Sequence, residues 1–192
     1  MHGAAGAALR VVLYVTALAW VVLEARQARH RRAEAVDADR GSRLVLGACV
    51  VVATLLAAWF HAQVPSLAIT PLAASVCVGT VVLWLGIALR QWSFATLGRY
   101  FTFTVQTSED QPVIDAGPYR YVRHPSYTAL LCCCAGLGLV VANWGSLAVI
   151  VLGAAIGLAY RIRVEEQALL VATGGRYAAY ARGRKRLVPL VW

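Results

Sequence analysis

The chain has 192 residues, of which 60% are hydrophobic and only 14% are charged. A soluble domain is about half apolar and about a quarter charged, so this composition excludes an ordinary soluble protein and predicts a single all-α membrane domain over residues 1–192. The net charge of +9 comes from basic residues that lie between apolar runs, a pattern typical of membrane topology and not of a nucleic-acid-binding surface.

Five apolar segments follow one another along the chain, each near the roughly 20 residues that a helix needs to cross a membrane. They cover residues 4–23, 44–64, 70–89, 126–142 and 146–160. The first has the length of a signal peptide, but it lacks a small-residue cleavage pattern and Arg10 interrupts it, so we expect a retained helix. Residues 1–70 are predicted to form generic transmembrane helices.

The basic residues alternate from loop to loop. Arg and Lys occur between segments one and two, between segments three and four, and in the C-terminal tail, whereas residues 61–70 and 143–145 contain neither. Because cytoplasmic loops are enriched in basic residues, this pattern predicts a multi-pass protein of the cell membrane with its N-terminus outside and its C-terminus in the cytoplasm. Two ionisable clusters, at residues 117–127 and 161–166, then share the cytoplasmic side.

Segments four and five are predicted to form an antiparallel hairpin, because only the short turn Asn143-Trp144-Gly145-Ser146 joins them. The hairpin brings the start of segment four beside the end of segment five. Charge at a membrane edge is costly, so we interpret the two clusters as one functional site. The aromatic-rich connection at residues 91–117 is predicted to cover that site as a lid.

Several side chains in these clusters suit chemistry. Arg161 and Glu165 are four residues apart and share a helix face, which fits either an interfacial ion pair or a ligand-binding pair, while Glu166 is expected to point away and face water. His124 precedes Pro125, a residue suited to the first turn of a helix, and the backbone amides that follow can bind a carboxylate.

Other kinds of chemistry have no support in the sequence. All five cysteines lie inside apolar runs without metal-binding spacing, so we expect packing roles for them and no metal. The motifs of serine hydrolases, zinc proteases, P-loop proteins and dinucleotide-binding folds do not occur. Any nucleotide-like cofactor must therefore bind to a different scaffold.

The two clusters resemble the isoprenylcysteine carboxyl methyltransferase family, which is related to the membrane phospholipid N-methyltransferases. The matching residues are Gly117, Pro118, Tyr119, Arg123, His124, Pro125, Tyr127, Arg161, Glu165, Glu166, Leu169, Tyr177, Tyr180 and Pro189. The resemblance covers about residues 85–190. The chain departs from the family pattern at Ala129, where glycine is usual, and at Thr173, where phenylalanine is usual.

The resemblance implies an integral-membrane enzyme that uses S-adenosylmethionine, with about five transmembrane helices and a cytoplasmic-side cofactor pocket formed by the C-terminal half. It implies a cofactor pocket lined by Gln106, Gln111, Pro112, Val113, Ile114, Tyr119, His124, Pro125, Ser126, Tyr127 and Glu165. Arg161 is implied to meet the polar head of the substrate. His124 or Glu165 is a candidate base where the acceptor must lose a proton.

The acceptor is predicted to be a lipophilic small molecule that enters from the surrounding membrane lipids. We expect O-methylation of a long-chain phenolic or enolic polyketide lipid, such as an alkylresorcinol or alkylpyrone. Carboxyl methylation of an isoprenylcysteine-like substrate and N-methylation of a phospholipid are the alternatives. A non-enzymatic lipid-binding protein or a small transporter is the alternative from another class, although a transporter usually has charged residues near mid-membrane.

Overall fold

The structure is a computed structural model that describes residues 39–98 and 113–188, together with the isolated positions 15, 16, 20, 22, 23, 26, 36, 37, 106 and 107. Positions 15, 16, 20, 22, 23 and 26 are helical. The rest of predicted segment one lies outside the described residues, as does most of the predicted lid.

Five helices form the described part of the chain. They are α1 (Ser42–Gln63), α2 (Leu72–Leu97), α3 (Pro125–Val141), α4 (Trp144–Thr173) and α5 (Gly175–Arg182). Two strands of two residues each, β1 (Val36–Asp37) and β2 (Gln106–Thr107), pair in antiparallel fashion. Helices α1, α2 and α4 are long and apolar enough to cross a membrane, and α3 is a shorter apolar helix. The predicted all-α membrane class is confirmed.

The helices pack in the spatial order α1, α4, α3, α2. Small residues allow the close crossings: a Cβ atom on Gly153 would lie 2.5 Å from the Cβ atom of Ala53 in α1, and one on Gly136 would lie 2.6 Å from the backbone nitrogen of Leu83 in α2. Glycine at a helix crossing lets two backbones approach, which is how membrane helices gain packing contacts. The bundle therefore depends on small residues at both interfaces of the α3–α4 hairpin.

We expect Gly136→Ala to destabilise the bundle, because the added methyl group would meet backbone atoms of Leu83 and Gly79 that cannot swing aside. Overpacking of this kind costs about 1–3 kcal/mol. Gly47→Ala is the matched control, since nothing lies within 4 Å of the position where its Cβ atom would be. Thermal unfolding in detergent should show a lower midpoint for the first variant alone, and equal midpoints for both would contradict this packing.

The predicted hairpin turn is confirmed. Asn143 begins α4, and its side-chain oxygen accepts a hydrogen bond from the backbone nitrogen of Ser146 at 3.0 Å. The Ser146 hydroxyl donates to the Ala57 carbonyl at 2.7 Å, and the Asn143 amide donates to the Val64 carbonyl at 3.1 Å. The polar groups at this end of the bundle are therefore occupied in joining α1 to the hairpin.

Two segment ends differ from prediction. Segment five was expected to stop at residue 160, but α4 continues to Thr173, and segment three continues to Leu97, so residues 91–97 are helix and not lid. Hydropathy marks where the apolar surroundings end, whereas a helix continues for as long as its backbone bonds and its packing favour it. At about 1.5 Å per residue, α4 is about 45 Å long and extends beyond the roughly 30 Å hydrocarbon core.

Candidate active site

The ionisable residues gather at the end of the bundle where α1 and α3 begin. Arg161 lies about 26 Å along α4 from its first residue, Trp144, so it is near one edge of a hydrocarbon core of about 30 Å. His124 directly precedes α3. The expectation that the hairpin joins the two clusters is confirmed, because His124 and Tyr127 both reach the side chains of α4.

Tyr127 links Arg161 to Glu165. Its hydroxyl donates to Glu165 Oε2 at 2.5 Å and accepts from Arg161 Nε at 2.8 Å. Arg161 and Glu165, which were predicted to share a helix face, therefore bind the same Tyr127 hydroxyl. The Glu165 side chain keeps 29% of its surface exposed, whereas Arg161 is buried. Glu165 is thus the member of this group that is open to a ligand.

Asp39 holds Arg161 from the opposite side, and sequence reasoning missed it. Arg161 Nη1 donates to Asp39 Oδ1 at 3.0 Å and to the Ser42 hydroxyl at 3.1 Å. Asp39 also accepts from the Ser42 hydroxyl at 2.9 Å and from the Arg43 backbone nitrogen at 3.1 Å. The sequence signal that could have identified Asp39 is its position as an acidic residue just before an apolar helix. The guanidinium is therefore held in place from α1 and from α3.

Glu166 is buried, and the expectation that it faces water is wrong. Its Oε1 atom lies 2.7 Å from Arg123 Nη1 and 3.2 Å from His124 Nε2, and its Oε2 atom accepts from Arg186 Nη2 at 2.9 Å. The reason is the segment after α5, which brings Arg186 across the face of α4 that the sequence left uncovered. Arg163, three residues earlier on the same helix, is exposed.

His124 lies between the two glutamates. Its Nδ1 atom is 3.8 Å from Glu165 Oε2, and its ring stacks on the Tyr127 ring with centroids 5.4 Å apart. The backbone amide of His124 donates to the Arg186 carbonyl at 3.0 Å, and the Tyr127 amide donates to the His124 carbonyl at 3.0 Å. The Tyr127 amide, one of those predicted to be open to a carboxylate, is therefore used within the protein, as is the His124 amide that precedes the helix.

Tyr119 and Tyr177 lie near the charge of Glu165, and Tyr180 adjoins Tyr119. Tyr119 and Tyr177 are buried, and the Tyr180 hydroxyl donates to the Tyr119 carbonyl at 2.8 Å. Burial, followed by the charge of Glu165, raises the pKa of Tyr119, and burial followed by the charges of Glu166 and Glu165 raises the pKa of Tyr177. Both phenols therefore stay neutral donors, and within the described residues the buried Tyr177 hydroxyl has no hydrogen-bond partner.

The other predicted cofactor residues divide into three groups. Pro125 and Ser126 are buried at the start of α3, and Ser126 lies close enough to Tyr119 for a side-chain hydrogen bond. Val113 and Ile114 are half-buried. Gln106 is described only in its backbone, and Gln111 and Pro112 lie outside the described residues. Within the described ranges, no group of three or more His, Cys, Asp or Glu side chains is arranged to hold a metal ion.

Comparison with known proteins agrees with this geometry. The model of the family described as isoprenylcysteine carboxyl methyltransferase (ICMT) matches residues 77–171, a range that includes both ionisable clusters. The chain is therefore similar to the ICMT family over this part of its length. The resemblance seen in the sequence is therefore confirmed.

Relatives of this ICMT-like chain include plant and bacterial proteins. It is 30% identical over 115 residues to Protein-S-isoprenylcysteine O-methyltransferase B of Arabidopsis thaliana, covering 59% of this chain and 58% of that protein. It is 27% identical over 94 residues to the uncharacterized protein YpbQ of Bacillus subtilis, covering 45% of this chain and 56% of that protein. The chain thus spans little more than half the length of these relatives.

The fold itself is shared with a solved structure, the eukaryotic intramembrane Ras methyltransferase ICMT. The TM-score is 0.63 at 24% sequence identity, and the match covers 76% of this chain and 52% of the other. The structural match covers a larger share of the chain than the region matched by the family model.

Proposed function

We propose that the protein is a methyltransferase that uses S-adenosylmethionine and methylates the polar head of a lipid-tailed acceptor at the cytoplasmic edge of the membrane. The observation that carries the proposal is the group of Arg161, Tyr127 and Glu165, joined by hydrogen bonds of 2.8 and 2.5 Å. It combines a buried cation with a partly exposed carboxylate at the start of a membrane helix. The family match supports the same reaction class.

The residues present fit the cofactor. S-adenosylmethionine supplies a methyl group that is already activated on a sulfonium. Glu165, with 29% of its side chain exposed, can accept hydrogen bonds from an ammonium or a ribose hydroxyl. The ring of Tyr119 offers a face suited to a cation, and the Tyr177 hydroxyl is a buried donor that has no partner among the described residues.

Arg161 is proposed to orient the acceptor. A guanidinium suits a carboxylate because its planar N–H groups match the two carboxylate oxygens. Asp39 and Tyr127 fix the guanidinium plane, which lowers the cost of ordering it during each turnover. Catalysis then consists mainly of positioning the acceptor oxygen and excluding water, because a carboxylate acceptor has no proton to lose.

The proposed acceptor is the carboxylate of an S-prenylated cysteine. The sequence alone favoured a phenolic or enolic polyketide lipid, but the named relatives are isoprenylcysteine methyltransferases and none of the comparisons supports the polyketide. On this proposal His124 is not a base. It lies within 3.8 Å of Glu165 and 3.2 Å of Glu166, so its role is to position the two carboxylates.

A transporter or a purely lipid-binding protein fits less well. Transporters have charged residues near mid-membrane in broken helices. Here Arg90, buried in α2, donates to the Ser126 carbonyl at 2.9 Å, which is at the same end of the bundle as Arg161. The charged side chains within the described helices thus gather at one membrane edge, as expected for a reaction between a water-soluble cofactor and a lipid.

The test is incubation of membranes that contain the protein with methyl-labelled S-adenosylmethionine and, in separate reactions, an N-acetylated S-farnesyl cysteine or an alkylresorcinol, followed by mild base. We expect label in the lipid phase that base releases as methanol, because methyl esters hydrolyse and methyl ethers do not. The matched control acceptor is the same compound with its carboxylate converted to an amide. Base-stable label on an alkylresorcinol, with none on the prenyl cysteine, would contradict the proposed acceptor. Absence of label from every lipid would contradict the proposed methyltransferase activity.

A further inference from the structure

A basic cavity lies beside the candidate active site, at the junction between the start of α3 and the segment after α5. Its volume is about 370 Å³, and its lining includes Tyr121, Arg123, Arg182, Arg184 and Lys185. No acidic side chain lines it. Cavities of a few hundred Å³ are large enough for a small polar ligand or a lipid headgroup.

Only part of this positive charge is neutralised within the described residues. Arg184 Nη2 donates to both carboxylate oxygens of Asp115 at 2.6 Å, and Arg123 Nη1 pairs with Glu166. Arg182 and Lys185 are exposed, and no ion pair to them occurs within residues 39–98 and 113–188. The cavity therefore has a surplus of about two positive charges and attracts an anion.

One donor inside the cavity wall is unused. Arg123 Nε is buried and makes no hydrogen bond to any described residue, although the same guanidinium is fixed through Nη1 by Glu166 at 2.7 Å. A buried N–H group without an acceptor costs about 1–3 kcal/mol. The Arg123 guanidinium is therefore held at one edge of the cavity by Glu166, with only part of its hydrogen-bonding capacity used.

The cavity wall is ordered by backbone bonds. The Arg123 amide donates to the Lys185 carbonyl at 2.9 Å, Val122 and Lys185 form an isolated parallel bridge, and Arg184 Nε donates to the Arg120 carbonyl at 3.2 Å. The segment that carries Arg182 and Lys185 is therefore fixed to the segment that leads into α3. The fixed backbone places these side chains around one cavity, which lowers the entropic cost of gathering them around an anion.

The position of the cavity points to a lipid. Arg123 lies two residues before Pro125, the first residue of the apolar helix α3, so the cavity is at the level where lipid headgroups lie. Tyr121 is 63% exposed beside it, as is common for aromatic side chains at a membrane interface. We propose that this cavity binds the phosphate of an anionic glycerophospholipid. Arg and Lys donors suit phosphate oxygens, and basic pockets at membrane edges recognise such headgroups.

The test uses the full-length protein with Arg182 and Lys185 both replaced by Gln. Binding of short-chain phosphatidylglycerol, short-chain phosphatidylcholine and inorganic phosphate is measured in detergent, without S-adenosylmethionine or acceptor. We expect the parent protein to prefer phosphatidylglycerol over phosphatidylcholine and the double variant to bind phosphatidylglycerol roughly tenfold or more weakly. Arg43→Gln with Arg163→Gln is the matched control, because it removes two exposed charges at the same end of the bundle and should leave that affinity unchanged.

Three results would overturn the lipid proposal. Equal weakening by the control pair would show a general charge effect, and inorganic phosphate binding as tightly as phosphatidylglycerol would show a free-phosphate site. A parallel loss of S-adenosylhomocysteine affinity in the R182Q/K185Q variant would make the cavity part of the cofactor site. Since the binding assay involves no methyl transfer, it succeeds or fails independently of the proposed activity.

Discussion

Glu166→Gln is expected to lower the unfolding temperature of the protein strongly. The Glu166 side chain is only 10% exposed and lies within 3.2 Å of Arg123, His124 and Arg186. Removing its charge leaves these groups facing a neutral amide, and loss of one partner from a buried ion pair costs about 3–5 kcal/mol. We expect about 3 kcal/mol here, because Arg186 is 35% exposed and recovers some hydration.

The neighbouring Glu165→Gln provides the contrast. Glu165 is 29% exposed, and an amide oxygen can still accept from Tyr127, so the thermal midpoint should stay close to that of the parent. Affinity for S-adenosylhomocysteine should instead fall about tenfold or more, since a hydrogen bond to a charged group contributes about 1.5–3 kcal/mol. Thermal unfolding and titration with S-adenosylhomocysteine, applied to both variants, measure the two expected effects. Equal effects of both variants on stability would contradict the division of roles between the two glutamates.

The sequence was sufficient for the parts of the site that depend on local spacing. Asn143 and Ser146 specify the hairpin turn within four residues, and the turn then requires the start of α3 to lie beside the end of α4. The i, i+4 spacing of Arg161 and Glu165 was enough to predict a common face. Each of these inferences uses an interaction between residues close in the chain or joined by a turn whose geometry is known.

The parts that were missed depend on long-range packing. Asp39 and Arg161 are 122 residues apart, and no periodicity connects an acidic residue before α1 to a face of α4. Glu166 was assigned to water because it lies about 100° around the helix from Glu165. Its burial depends on Arg186, whose path across α4 follows from backbone bonds to Arg123 and His124 that local sequence does not specify.

Asp39 leads to the second large prediction, because it lies outside the region that matches the family model yet contacts the proposed substrate-binding residue. Its carboxylate is 3.0 Å from Arg161 Nη1, and their side chains are 11% and 6% exposed. In Asp39→Asn the buried guanidinium keeps its charge but loses its counter-ion, so we expect a loss of about 3–5 kcal/mol of stability. Asp115→Asn is the control, since its pair with Arg184 leaves the aspartate side chain 50% exposed and should contribute less than about 1 kcal/mol.

The same variant should separate acceptor binding from cofactor binding. In Asp39→Asn the Arg161 guanidinium keeps its bonds to Tyr127 and Ser42 but loses the charged partner on the α1 side. The KM for a carboxylate acceptor should therefore rise about tenfold or more, because misplacement of a binding group by about 1 Å has large kinetic effects. Affinity for S-adenosylhomocysteine should remain near that of the parent, because Glu165, Tyr119 and Tyr177 do not touch Asp39 in the contacts described above. Asp39→Glu keeps the negative charge, so its KM should lie between those of the parent and of Asp39→Asn. An Asp39→Asn variant that lost cofactor affinity and acceptor affinity equally would instead indicate that Asp39 supports the bundle as a whole and does not position Arg161.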